Sequence, residues 1–142
     1  MKKTYYIFMI LFALTFSSCN DGLPWVEDCS DYDYSDCNQI EPDSTNLVIK
    51  ATIDNIHSNV PITIYRGTVD NGIVLYSGSM IQSEFYFKVP VNENYAVKAI
   101  YKIGNKTIIS IDGDFVKKKS KRVCDATCWA VVNNEMDVRL SQ

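Results

Sequence analysis

Five cysteines and a single histidine are the side chains of this 142-residue chain with the most chemistry to offer. Cys19 ends the run Phe16-Ser17-Ser18-Cys19. Small residues just before a Cys let an export peptidase close on the backbone, and the thiol that follows them is a site for lipid attachment. The other four, Cys29, Cys37, Cys124 and Cys128, form an even set. In an exported chain such a set implies up to two disulfides, with three connectivities open. Proximity along the chain favours the local pairs Cys29–Cys37 and Cys124–Cys128. Cross-pairing would instead pin the N-terminal segment to the far end of the chain. The spacings within the two pairs are not the paired two-residue knuckles of zinc ribbons, so disulfides are expected rather than zinc.

His57 lies in Asp54-Asn55-Ile56-His57-Ser58-Asn59, which reads as a turn between strands. A Ser–His–Asp relay needs the imidazole held between a carboxylate and a hydroxyl. Asp54 and Ser58 are neighbours of His57 in sequence, which does not place them for that role. The chain has no Gly-x-Ser-x-Gly, no His-Glu-x-x-His and no phosphate loop. Asp31, Asp33 and Asp36 are spaced like the first half of a calcium loop. The sixth position is not Gly, however, and Pro42 stands where the twelfth-position Glu belongs. A solvated acidic loop is the expectation there, and a calcium-dependent module the alternative. Lys117, Lys118, Lys119, Lys121 and Arg122 form the densest charge cluster. They are a candidate patch for an anionic glycan, a lipopolysaccharide phosphate or an acidic partner, with a solvated loop as the plainer reading. No aromatic residue interleaves the cluster, so nucleic-acid stacking is unsupported.

The segment that would deliver Cys19 has three parts. Lys2 and Lys3 hold the N-terminus on the cytoplasmic side. The apolar run Tyr5–Phe16 can engage an export machinery but falls short of the roughly 18–20 residues that span a bilayer. Ser17-Ser18-Cys19 resembles the lipoprotein box of Gram-negative bacteria, in the loose form of Bacteroides-type lipoproteins, with Phe16 where Leu is usual. The resemblance implies cleavage before Cys19, a diacylglyceryl group on its thiol and a further palmitate-type acyl chain on its amine. Two or three chains anchor stably where one is marginal. A plain secretory signal and an uncleaved signal anchor are the alternatives. Asp21, with Glu27 and Asp28 beyond it, resembles the acidic signal that sends such lipoproteins to the outer face of the outer membrane. The expected location is therefore the outer membrane, lipid-anchored, with the surface-exposed face favoured over the periplasmic one.

Charge divides the rest of the chain. The formal net charge is −3 and becomes −5 once Lys2 and Lys3 are removed. Asn20–Ile49 carries eight acids and no Lys or Arg, whereas bases outnumber acids from Lys50 onward. Residues 1–18 are the expected signal peptide. Residues 19–45 are the lipidated Cys and an irregular, acidic, Cys-containing tether. Residues 46–142 are the domain, of a size to hold one core.

From Asn46 the pattern turns to period two. Leu47, Ile49, Ala51 and Ile53 occupy every second position. So do Val60, Ile62 and Ile64; Phe85, Phe87 and Val89; Tyr95, Val97, Ala99 and Tyr101; and Met136, Val138 and Leu140. Strands buried on one face read this way. Ile73–Ser77 and Thr107–Ile111 are apolar enough to be strands without clean alternation. Turn signals fall at Asp70-Asn71-Gly72, Asn92-Glu93-Asn94, Gly104-Asn105 and Asp112-Gly113-Asp114. A turn of helix is compatible with Asp125–Ala130. The expectation is an all-β chain with a single antiparallel β-sandwich.

Val60-Pro61-Ile62-Thr63-Ile64-Tyr65-Arg66, Phe85-Tyr86-Phe87-Lys88-Val89-Pro90 and Asn94-Tyr95-Ala96-Val97-Lys98-Ala99 resemble strands of the prealbumin-like and carboxypeptidase-regulatory-like sandwiches; an Ig-like sandwich is the neighbouring form. Asn92 and Asn94 stand where that family uses Gly. The resemblance implies a corner role for Tyr95, its hydroxyl bonding back to nearby backbone. It also implies an adhesin, scaffold or carbohydrate-system module more than a catalyst, although fold alone assigns no function. The expectation is a non-catalytic module without cofactor or metal, held to the membrane through Cys19, which binds an envelope protein or glycan and not nucleic acid. A small envelope enzyme using His57 or a carboxylate pair is the alternative.

Overall fold

The computed structural model describes Cys29 and residues 33–141. The expected export signal, Cys19, the acidic residues Asp21, Glu27 and Asp28, and Asp31 lie outside the described residues. Eight strands run in order: β1 Ser44–Lys50, β2 Val60–Arg66, β3 Ile73–Met80, β4 Glu84–Pro90, β5 Glu93–Ile103, β6 Lys106–Val123, β7 Ala126–Val132 and β8 Glu135–Asp137. They form a three-stranded sheet, β4-β1-β8, and a five-stranded sheet, β3-β2-β5-β6-β7. The described residues are all-β in their regular structure, and the two sheets make the expected β-sandwich.

The alternating residues explain why the sheets stack. Leu47 and Ile49 of β1, Val89 of β4 and Met136 of β8 face Val60, Ile62 and Ile64 of β2 and Tyr95, Val97, Ala99 and Tyr101 of β5. All are at most 2% exposed, so the period-two positions are the core. Fully burying one such side chain contributes about 1.5–3 kcal/mol. Two tyrosines sit in the core cluster itself because their hydroxyls find partners. Tyr95 donates to the Pro90 carbonyl at 2.9 Å, as the corner resemblance implies. The Tyr101 hydroxyl donates to the Val138 carbonyl at 2.9 Å and accepts from the Thr52 amide at 3.0 Å. Burial pushes both phenols above their ordinary pKa.

β8 departs from the antiparallel rule. It lies parallel to β1, with Val48 opposite Glu135 and Lys50 opposite Asp137. After β7 the chain leaves the five-stranded sheet through Asn133, whose φ of 63° turns the backbone in the left-handed region. It then runs beside β1 in the same direction. Two backbone bonds secure it, Val48 N–H to the Asn134 carbonyl at 2.8 Å and Val138 N–H to the Lys50 carbonyl at 2.9 Å.

Three expectations change in β6 and β7. Asp112-Gly113-Asp114 is mid-strand, not a turn. Gly113 pairs with Ala96, and a Cβ there would lie 2.7 Å from the Tyr95 carbonyl and 3.1 Å from the Ala96 Cα. This Gly permits close approach of two strands, the other meaning of Gly in a β pattern. The basic run is strand as well, and not a solvated loop: Lys117–Val123 pairs with Ala126–Val132. Residues 125–130 are not helical, because Val123 pairs directly with Ala126 across a two-residue hairpin with Cys124 at φ 52°.

Candidate binding surface

β6 is the element that organises the surface, because its 18 residues serve two partners. Lys106–Val116 pairs with β5 and Lys117–Val123 with β7. Residues directly opposite in a ladder share a face. Ile108, Ser110, Asp112 and Asp114 lie opposite the core residues Tyr101, Ala99, Val97 and Tyr95, so even positions face inward. Odd positions face outward: Ile109, Ile111, Gly113, Phe115, then Lys117, Lys119 and Lys121. Ile109 is 57% exposed, Ile111 55% and Phe115 39%. Across the same outer face lie Ala96, Lys98 and Ile100 of β5 and Tyr65 of β2, with the Lys98 ammonium 5.7 Å from the Tyr65 ring centre. Gly67, Val69, Asp70, Ile111, Gly113 and Asp114 line a shallow depression of about 510 Å3 there. Such a surface, apolar at one end of a strand and cationic at the other, fits a partner with the reverse charge and an apolar contact.

The basic cluster is therefore not one patch. Lys117, Lys119 and Lys121 share the outer face, while alternation turns Lys118 and Arg122 to the opposite face. Lys118 is also occupied: it pairs with Glu41, and its ammonium lies 5.8 Å from the Trp129 ring centre. The outer trio remains the candidate anionic-ligand site.

Disulfide pairing follows the cross-linked alternative, not the local one. Cys37 bonds Cys128, 91 residues away in sequence. Cys29 and Cys124 are disulfide-bonded too. Backbone pairing brings Cys37 to Cys128: the Trp129 N–H donates to the Asn38 carbonyl at 2.7 Å, in an antiparallel bridge. The C-terminal part of the acidic segment thus docks along β7. Sequence proximity pointed elsewhere because it ignores this bridge.

His57 is buried at 7% exposure, although its neighbours Asp54, Ile56 and Ser58 are exposed. Asp54 Oδ1 accepts from the His57 backbone N–H at 2.7 Å and the Ile56 N–H at 2.8 Å, and lies 3.0 Å from His57 Nδ1. The His57 N–H holds the Asp54 carboxyl below the usual carboxylate range. An ionised Asp54 can only accept, so Nδ1 is the donor of that contact. Nε2 is buried with no hydrogen-bond partner among the described residues. The imidazole stands edge-on to Tyr101, ring centres 5.4 Å apart. The pair thus supplies the carboxylate–imidazole half of a relay with no hydroxyl on the other nitrogen. Beside it lies a depression of about 350 Å3 lined by Ile56, Asn59, Ser79, Ile100 and Lys102.

Asp33 accepts from the Ser35 N–H at 2.9 Å in a local turn. Among the described residues no cluster of His, Cys, Asp and Glu is placed to hold a metal ion. The outer apolar face was the feature hidden in the sequence. Its one signal was Ile108-Ile109, where alternation fails because apolar residues point to both faces. Compared with protein-family models, curated proteins and solved structures, the chain matches none.

Proposed function

We propose that this chain is a lipid-anchored lipoprotein of the outer membrane, held through Cys19, whose sandwich is a non-catalytic module that binds or assembles with an envelope protein or glycan. The observation that carries the reading is the outer face of β6, where exposed Ile109, Ile111 and Phe115 run into Lys117, Lys119 and Lys121. Strands hold these groups in a fixed order, so the surface is preorganised and loses little entropy on binding. An anionic group, whether a glycan acid, a phosphate or a carboxylate, would meet the three ammonium groups while an apolar contact settled on the isoleucines. Residues 19–28, ahead of the first disulfide-bonded cysteine, would space the module from the membrane. Exposure to the cell exterior is favoured by Asp21, Glu27 and Asp28.

Capture from intact cells tests the module. The full chain and its Lys117→Glu/Lys119→Glu/Lys121→Glu variant are isolated with their bound envelope components. The proposal expects a component enriched with the parent chain and lost with the variant, both chains remaining in the membrane fraction. Equal capture by the two would refute it.

A further inference from the structure

We infer that the free edge of β6 joins a second copy of this chain, Lys106–Asp112 pairing antiparallel with its own counterpart about Ile109. β5 occupies one side of this segment, and β7 pairs only from Lys117 onward. Among the described residues no strand pairs with the other side of Lys106–Ile111. In an antiparallel strand alternate residues direct their N–H and C=O groups to opposite sides, so this edge presents a row of open donors and acceptors.

Edges that stay single are blunted by charge, proline or a bulge. β4 follows that rule, with Glu84, Lys88 and Pro90 along its edge. β7 is covered by the Asn38 bridge and the Cys37–Cys128 bond. Thr107–Ile111 carries no charge, no proline and no bulge, and Ile108, Ile109 and Ile111 are 38%, 57% and 55% exposed.

Charge selects the occupant and the register. With Ile109 opposite Ile109 of the second copy, Lys106 falls opposite Asp112 at both ends, giving two opposite-charge pairs on the inner face. Thr107 falls opposite Ile111 on the outer face, and Ile108 opposite Ser110. Sliding the copies by one residue in this antiparallel arrangement separates Lys106 from Asp112 and costs both pairs. The Asp112 carboxylate is already fixed, Oδ1 by the Gly113 N–H at 2.8 Å and Oδ2 by the Asp137 N–H at 2.6 Å. It therefore meets an incoming ammonium without further ordering. Two five-stranded sheets would join into one, and their outer faces would become continuous.

Cysteine cross-linking in the full chain tests both the pairing and the register. Directly opposite residues have Cα atoms about 4.5–5.5 Å apart, within disulfide reach. Ile109→Cys places two thiols on the two-fold axis. Thr107→Cys places them about 13 Å apart, too far to bond. Mild oxidation of cells should shift the Ile109→Cys chain to the mass of two chains on a non-reducing gel, and leave the Thr107→Cys and unsubstituted chains at the mass of one. Sedimentation of the purified chain in detergent should show a dimer that Ile109→Lys converts to monomer. No selective cross-link at position 109, or a dimer indifferent to Ile109→Lys, overturns the inference.

Discussion

Tyr101 ties three parts of the fold through one oxygen. Its hydroxyl joins the Thr52 amide after β1 to the Val138 carbonyl after β8, and its ring packs edge-on against His57. Tyr95 makes a single bond, to Pro90. The two phenylalanine substitutions are therefore unequal. Tyr95→Phe should cost about 0.5–1.5 kcal/mol, the net worth of one bond. Tyr101→Phe should cost more, about 1–3 kcal/mol, because it strands a part-buried donor and a buried acceptor together. Urea titration of the two variants against the parent chain gives the order, and equal losses would contradict it. A second prediction concerns acid. Arg139 bonds the Asp137 carboxylate at 2.8 Å and holds its pKa down from 3.8 to about 2. A carboxyl whose folded pKa is depressed stabilises fully above the unfolded value and loses that contribution as pH falls through the folded one. Arg139→Gln should thus be less stable than the parent at neutral pH. The gap should close between pH 3.8 and about 2. Both groups are partly exposed, so the effect should be small and shrink further in salt.

Strand elements were more legible than their ends. Alternation located the core faces of β1, β2, β4, β5 and β8 because each buries one face only, and that asymmetry is what a period of two records. β6 was legible only in part: Thr107–Ile111 reads as a strand, but Ile108 beside Ile109 breaks the alternation and the second half is basic. Neither half alternates cleanly, and hydrogen bonding to two different partners keeps the strand extended for 18 residues. Gly113 misled for a related reason. Flanked by two aspartates it carries turn chemistry, yet the ladder uses the missing Cβ to bring β6 against Ala96. Gly113→Val should force β6 off β5, since a Cβ 2.7 Å from the Tyr95 carbonyl cannot be accommodated by rotating a side chain. Overpacking of this kind costs about 1–3 kcal/mol. Thermal unfolding should show the loss. Hydrogen exchange should show it concentrated at residues 93–97 and 112–116; a loss spread evenly over the sheets would contradict the local clash.

At the scale of the whole molecule, Asp33–Asp43 and the sandwich are a covalent unit, and this was the least legible feature. Four cysteines allowed up to two bonds and left their partners open. The deciding contact, Asn38 against Trp129, is a single bridge with no sequence signature. Its consequence is that Asp33–Asp43 cannot swing freely as a tether: Cys37–Cys128 and the Lys118–Glu41 pair hold it along β6 and β7. Replacing both ends, Cys37→Ser/Cys128→Ser, separates the covalent contribution from the packing. The bond spans 91 residues, for which loop closure alone predicts between about 4 and 5 kcal/mol. The second disulfide, at Cys29 and Cys124, already restricts the denatured chain. The measured loss should therefore be smaller, about 2–4 kcal/mol. Neither Cys37 nor Cys128 belongs to the core cluster, so far-ultraviolet dichroism should keep its β signature. Brief protease treatment should then cut the variant first within residues 33–43, where the lost cross-link leaves the Asn38 bridge, the Val91 N–H bond to the Asp43 carbonyl and the Lys118–Glu41 pair to hold the segment. Cutting first within β1–β5 would instead mean that the disulfide supports the sandwich itself.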